Sequence, residues 1–219
     1  MNLTITDILA YTCVLPAITG LILYNKMEKY FHLLIHISLL AFVTEILTTP
    51  GVGISDSWYP VIVNLFVIVN TLLHILFFFK AGVISSQKKS AGIFIAFIIF
   101  VAGNIIYQHV SFNTYLFPSY LASYLIILIL CIEASIKQTY NTKLSWYKDP
   151  VFLFAIINVV YAAFFILIYG IRFLGLSEEN ILYNTLKYLH SWVNATCNVL
   201  TIWPIICTVK KNNYTKLSL

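Results

Sequence analysis

The chain has 219 residues, of which 60% are hydrophobic and only 10% charged. A soluble domain carries about 25% charged residues, so the deficit excludes an ordinary globular protein and points to a polytopic membrane protein. The formal net charge of +5 then reads as a topology signal, not as a footprint for nucleic acid.

Seven apolar segments are long enough to cross about 30 Å of hydrocarbon at about 1.5 Å per residue. They lie near 7–25, 30–48, 61–80, 90–110, 118–137, 150–172 and 181–209. The expectation is an all-α, seven-transmembrane-helix bundle forming a single domain over 1–219. The first segment has no Lys or Arg before it, so it does not read as a cleavable signal peptide. It contains Pro16, which predicts a kink.

The second segment carries His32 and His36 near its start and Glu45 near its end. The Thr49-Pro50-Gly51 break follows. The third holds Asn64, Asn70, Thr71 and His74, which fall within an arc of about 120° at helical spacing. The fourth ends with Asn104, Tyr107 and Gln108, and the fifth has Glu133 one turn before Lys137. Asp149-Pro150 opens the sixth segment, with Asp as N-cap and Pro in the first turn. That segment has Asn158 and Tyr161 near its middle. The seventh places His190, Asn194 and Asn198 four residues apart, a drift of only about 40° per step. Asn184, Ser191 and Thr201 lie near the same stripe, and Pro204 predicts a second kink.

The charges orient the bundle. Lys26, Lys29, Lys80, Lys88, Lys89, Lys137, Lys143, Lys148, Lys210, Lys211 and Lys216 all fall at one end. Arg172 and Lys187 fall at the other, beside Glu178 and Glu179. The positive-inside rule places the N-terminus outside and the C-terminus in the cytoplasm, in the cell (inner) membrane. The cysteines Cys13, Cys131, Cys197 and Cys207 sit inside apolar segments with no CxxC or Cys/His ligand spacing, so neither a disulfide framework nor a metal site is expected.

Polar side chains inside spans turn toward the bundle interior, because lipid cannot satisfy them. Reading position as depth gives two clusters. The outer one is Glu45, Asn64, Asn104, Gln108, His190 and Asn194, continued inward by Asn198. The inner one is His36, His74 and Glu133. A carboxyl group deep in a span costs several kcal/mol unless paired or protonated, which makes Glu45 and Glu133 functional candidates. The competing reading is that Asn, His and Thr only hydrogen-bond neighbouring helices. For Asn70 and Asn158 that reading is preferred, and Glu133 has Lys137 as a ready partner. For the seventh-segment stripe both readings stand.

Several classes are excluded. Retinal attachment needs a lysine in the middle of the seventh helix, and Lys187 lies near its end. HExxH and a Ser/His/Asp set are absent. No enzyme and no cofactor are expected.

Glu45, the Asn70/His74 pair, SFNTY (111–115), PVFLFAIINVVYAAFFILIYG (150–170) and the Asn194/Asn198 pattern together resemble a family of small seven-helix membrane proteins of Bacteroidetes-type bacteria. The family's sixth helix usually begins with Pro, then Phe-Trp, then a mid-helix Gly; Leu153 and Asn158 depart from that pattern. The resemblance carries no activity. It implies a stand-alone, sensor-like module working with a separate signalling partner. The expectation is therefore a receptor-like protein in the lipid bilayer, taking a small polar ligand from outside and touching a cytoplasmic or membrane partner near Lys88–Lys89 and Lys143–Lys148. The alternatives are a small-solute or proton-coupled transporter, with His74 and Glu133 handling protons, and a structural subunit.

Overall fold

A computed structural model describes residues 5–49, 54–141, 145–174 and 181–215. Pro50, Gly51, Lys143, Glu178, Glu179 and Lys216 lie outside the described residues. So do the side chains of Lys210 and Lys211.

All the regular structure among the described residues is helical: α1 (Ile5–Ala10), α2 (Val14–Leu23), α3 (His32–Thr48), α4 (Tyr59–Lys80), α5 (Gln87–Gln108), α6 (Phe117–Asn141), α7 (Pro150–Phe173) and α8 (Ile181–Thr215). They supply seven helices long and apolar enough to cross a membrane, from Ile8–Lys26 through Tyr183–Val209. This is the make-up of a multi-pass membrane protein.

Local chemistry sets the boundaries. The first crossing is two helices, α1 and α2, joined by a 3-10 turn at Tyr11–Cys13. The buried Pro16 follows directly; its ring has no N–H for the carbonyl of Thr12, so the α-ladder is interrupted one turn earlier. Pro204 acts differently, since α8 runs through it without a break. α4 starts before the expected boundary because Pro60 sits in its first turn, where a missing N–H costs nothing. It ends in a Schellman motif. Val83 N–H donates to Phe78 O (2.9 Å) and Gly82 N–H to Phe79 O (3.1 Å), with Gly82 at φ 78°. α5 stops at His109, whose φ of 51° lies in the left-handed region. Asp149 caps α7 as its sequence foretold: Oδ1 accepts from Val151 N (2.9 Å) and Phe152 N (3.0 Å).

The crossings form a ring. α2 packs on α3, α3 on α4, α4 on α6, α6 on α7, α7 on α8, and α8 returns to α1 and α2. α5 is outside it, lying against α4 and α6, and its outer face is a run of exposed apolar side chains such as Ile95, Ile99, Phe100 and Ile106. Gly20 sets the α2–α3 distance, since a Cβ there would overlap the buried side chain of Ile35.

The main core lies toward the lysine-bearing end. Phe31, Phe77, Phe78 and Phe154 are all nearly inaccessible, and Phe77 meets Phe154 edge-on at 5.0 Å between ring centroids. At the opposite end, the Arg172 guanidinium lies 5.0 Å from the Phe117 ring centroid. It also donates to the Tyr183 hydroxyl at 3.4 Å.

Candidate functional site

The ring surrounds a partly open cavity of about 260 Å³, and none of the residues around it is freely exposed. Each crossing of the ring contributes; α5 contributes nothing.

From α3 come Thr44, Glu45 and Thr48. Glu45 is three residues from the helix end, a depth of about 5 Å at helical rise. The threonine hydroxyls are turned back on their own helix: Thr44 Oγ1 donates to Leu40 O (2.8 Å) and Thr48 Oγ1 to Thr44 O (2.9 Å). Their protons are thereby committed, and the lone pairs remain available as acceptors.

From α8 come His190, Ser191, Asn194 and Asn198. The four-residue spacing does bring His190, Asn194 and Asn198 to one wall, as the 3.6-residue period requires. Ser191 Oγ is likewise committed to its own helix, donating to Lys187 O (3.1 Å). Asn198 Nδ2 donates to Thr12 Oγ1 (3.1 Å) and to Asn194 Oδ1 (3.4 Å), so this residue also ties α8 to the first crossing. His190 Nδ1 is shielded from the surface and has no hydrogen-bond partner among the described residues. The neighbouring Phe165 ring lies at right angles to the imidazole, with centroids 4.3 Å apart.

From α7 come Tyr161, Phe165 and Tyr169, one turn apart, and from α6 comes Tyr124. The Tyr124 and Phe165 rings stack at 4.3 Å, Tyr161 lies 4.5 Å from Phe165, and Tyr169 lies 5.5 Å from it. The result is a continuous aromatic wall. α4 adds Val63, Phe66 and Val67.

A smaller cavity of about 50 Å³ lies deeper. Ala41, Phe66, Tyr161 and Asn198 border both spaces. His74 is on its wall. Nδ1 donates to Asn70 O (2.9 Å), Nε2 lies 3.4 Å from Asn158 Oδ1, and the ring stacks on Phe154 at 5.7 Å. Asn158 Nδ2 donates to Phe154 O (2.9 Å). The His74–Asn158 contact thus links α4 to α7, the role that polar groups commonly take between membrane helices.

Four of the seven outer candidates meet around the larger cavity: Glu45, His190, Asn194 and Asn198. The other three do not. Asn64 is 2% exposed and holds the segment after α5. Its Nδ2 donates to Phe112 O (2.8 Å) and Thr114 O (2.9 Å), and its Oδ1 accepts from Leu116 N (3.4 Å) and Tyr120 OH (2.5 Å). Asn104 donates to Ser119 Oγ (3.1 Å), linking α5 to α6. Gln108 is exposed. Asn104 and Gln108 miss the cavity because their helix is outside the ring.

The inner cluster does not assemble. His74 is buried, whereas His36 is exposed on α3. Glu133 pairs with Lys137 at 2.7 Å, with side chains 46% and 36% exposed. Lys137 also donates to Val83 O in the α4–α5 turn. His32, on the other hand, stacks on Tyr24 at 3.8 Å and contacts Tyr24 O at 3.0 Å.

The aromatic wall was not foreseen in the sequence. Tyr161, Phe165 and Tyr169 recur every four residues, a visible signal, but in so apolar a segment such a stripe reads as ordinary core. Among the described residues no group of three or more His, Cys, Asp or Glu is placed to hold a metal ion. Compared with protein-family models, with curated proteins and with solved structures, the chain matches none.

Proposed function

We propose that the protein is a receptor-like membrane module that binds a small molecule in the larger cavity and passes its state to a separate partner. The observation carrying this reading is the cavity itself. A space of about 260 Å³ is near the lower end of small-molecule sites, and its mix of aromatic walls with a few placed polar groups is typical of them. Glu45 and His190 Nδ1, which has no hydrogen-bond partner among the described residues, give it chemistry that packing alone does not need. The phenylalanine core at the lysine-bearing end supports entry from the other side, which the positive-inside rule puts outside the cell. The partner docks at the basic turns near Lys88 and Lys89.

The test is a thermal-shift screen of polar and amphiphilic metabolites on the purified protein and on the His190→Ala/Asn194→Ala variant. A ligand that binds the folded state raises the unfolding midpoint. Hits that disappear in the variant uphold the reading. A screen with no hits, with the variant merely less stable, reduces the stripe to helix–helix bonding.

A second reading, a small carrier, is favoured by the walls that the two cavities share at Phe66, Tyr161 and Asn198. Flux of a screened ligand into proteoliposomes decides for the carrier; binding without flux decides for the receptor.

A further inference from the structure

We propose that the larger cavity selects an organic cation, a small amine or quaternary ammonium compound. This inference rests on the reading of that cavity as a ligand site and specifies its ligand class.

Three features of the lining converge. The first is charge. Glu45 supplies a carboxyl group, and among the described residues no lysine or arginine lines the space. A carboxyl group in surroundings of low dielectric constant accepts hydrogen bonds from N–H donors and, when ionised, attracts a positive ligand. The second is the aromatic wall. Tyr161, Phe165 and Tyr169 offer contiguous rings at centroid spacings of 4.5 and 5.5 Å, with Tyr124 stacked on Phe165. Ring faces attract ammonium groups, and the attraction grows when water is excluded. The third is hydrogen-bond polarity. The hydroxyl protons of Thr44, Thr48 and Ser191 are all given to carbonyls of their own helices. Their lone pairs remain as acceptors, which suit an N–H donor or a positive methyl shell, beside the donor groups of Asn194 and the tyrosines in the same lining.

The test compares cations with neutral molecules of the same shape. Choline is measured against 3,3-dimethylbutan-1-ol, and phenethylamine against 2-phenylethanol, by titration calorimetry on the intact protein in uncharged maltoside micelles. At least one cation should bind about tenfold or more tightly than its neutral counterpart. That preference should fall below about threefold in Glu45→Gln, while Tyr161→Phe retains it and Tyr161→Leu weakens the cation selectively. Should Glu45→Gln fail to fold, the isostere comparison and the two Tyr161 variants still decide. Neutral molecules binding as tightly as cations, or a preference that survives in Glu45→Gln, overturn cation selection and leave the ligand site standing. Cation selection is overturned in the same way if all four probes fail while neutral or anionic metabolites give His190/Asn194-dependent shifts. Failure of every probe in both experiments removes the ligand site as well.

Discussion

Replacing Asn64 with alanine should destabilise the bundle strongly. The side chain satisfies four groups in and around the segment that leads from α5 into α6: the carbonyls of Phe112 and Thr114, the amide of Leu116 and the hydroxyl of Tyr120. Three of these contacts are 2.9 Å or shorter, and each contributes about 1 kcal/mol net. Alanine also strands their partners at a site only 2% exposed, where an unsatisfied group costs about 1–3 kcal/mol unless water reaches it. A loss of about 3–5 kcal/mol follows, at the upper end for a single substitution. For a chain of this size that lowers the unfolding midpoint by roughly 6–12 °C at the smaller figure. Thermal unfolding followed by tryptophan fluorescence in detergent measures it. Asn64→Asp should be at least as damaging, because a carboxylate would then face two carbonyl oxygens. Any ligand that stabilises the original protein should still stabilise Asn64→Ala by a similar increment, since the residue is not on the cavity wall. A midpoint within about 2 °C of the original would refute the assignment of Asn64 as a structural bracket.

Gly20→Ala should lower stability by about 1–3 kcal/mol through overpacking against Ile35. The cost should shrink in an Ile35→Ala background, which double-mutant melting curves would reveal. His109→Gly should raise the midpoint by about 2–4 °C, because glycine adopts the left-handed conformation at φ 51° without the penalty of about 1 kcal/mol paid by an L side chain. Glu133→Gln should change stability by less than about 0.5 kcal/mol, as expected for a half-exposed i,i+4 ion pair. A large loss, or altered transport in any flux assay, would return Glu133 to the functional candidates.

The seven crossings were legible because length and apolar composition are local properties. So was the α8 stripe, since His190, Asn194 and Asn198 owe their common face to helical period alone. What sequence could not supply was which helices are neighbours. Asn104 and Asn194 fall in one outer polar cluster when read from sequence, yet α5 lies outside the ring and α8 within it. Depth fixes one coordinate, and rotation about the bundle axis is a tertiary outcome. The same limit explains Asn64 and Thr71. Both share the polar arc of α4, but they face the α6 side, where Thr71 Oγ1 meets Ser123 Oγ at 2.5 Å. The apolar Val63, Phe66 and Val67 take the cavity face instead. The Tyr161–Phe165–Tyr169 wall shows the converse case: a regular pattern whose chemistry emerges only when a carboxyl group from α3 is placed in the same space.

The ring is sealed where α8 meets the first crossing, and the Asn198–Thr12 hydrogen bond across that joint spans 186 residues of sequence. The α3–α4 and α6–α7 hairpins bring together segments close in the chain and can pair soon after both are made. The joint at α8 has to wait for nearly the whole chain. During synthesis the cavity is therefore a late product. Until α8 docks, Glu45 and the tyrosine wall border an open gap in the bundle. A chain halted before α8 keeps most of its helices and lacks one wall of the site.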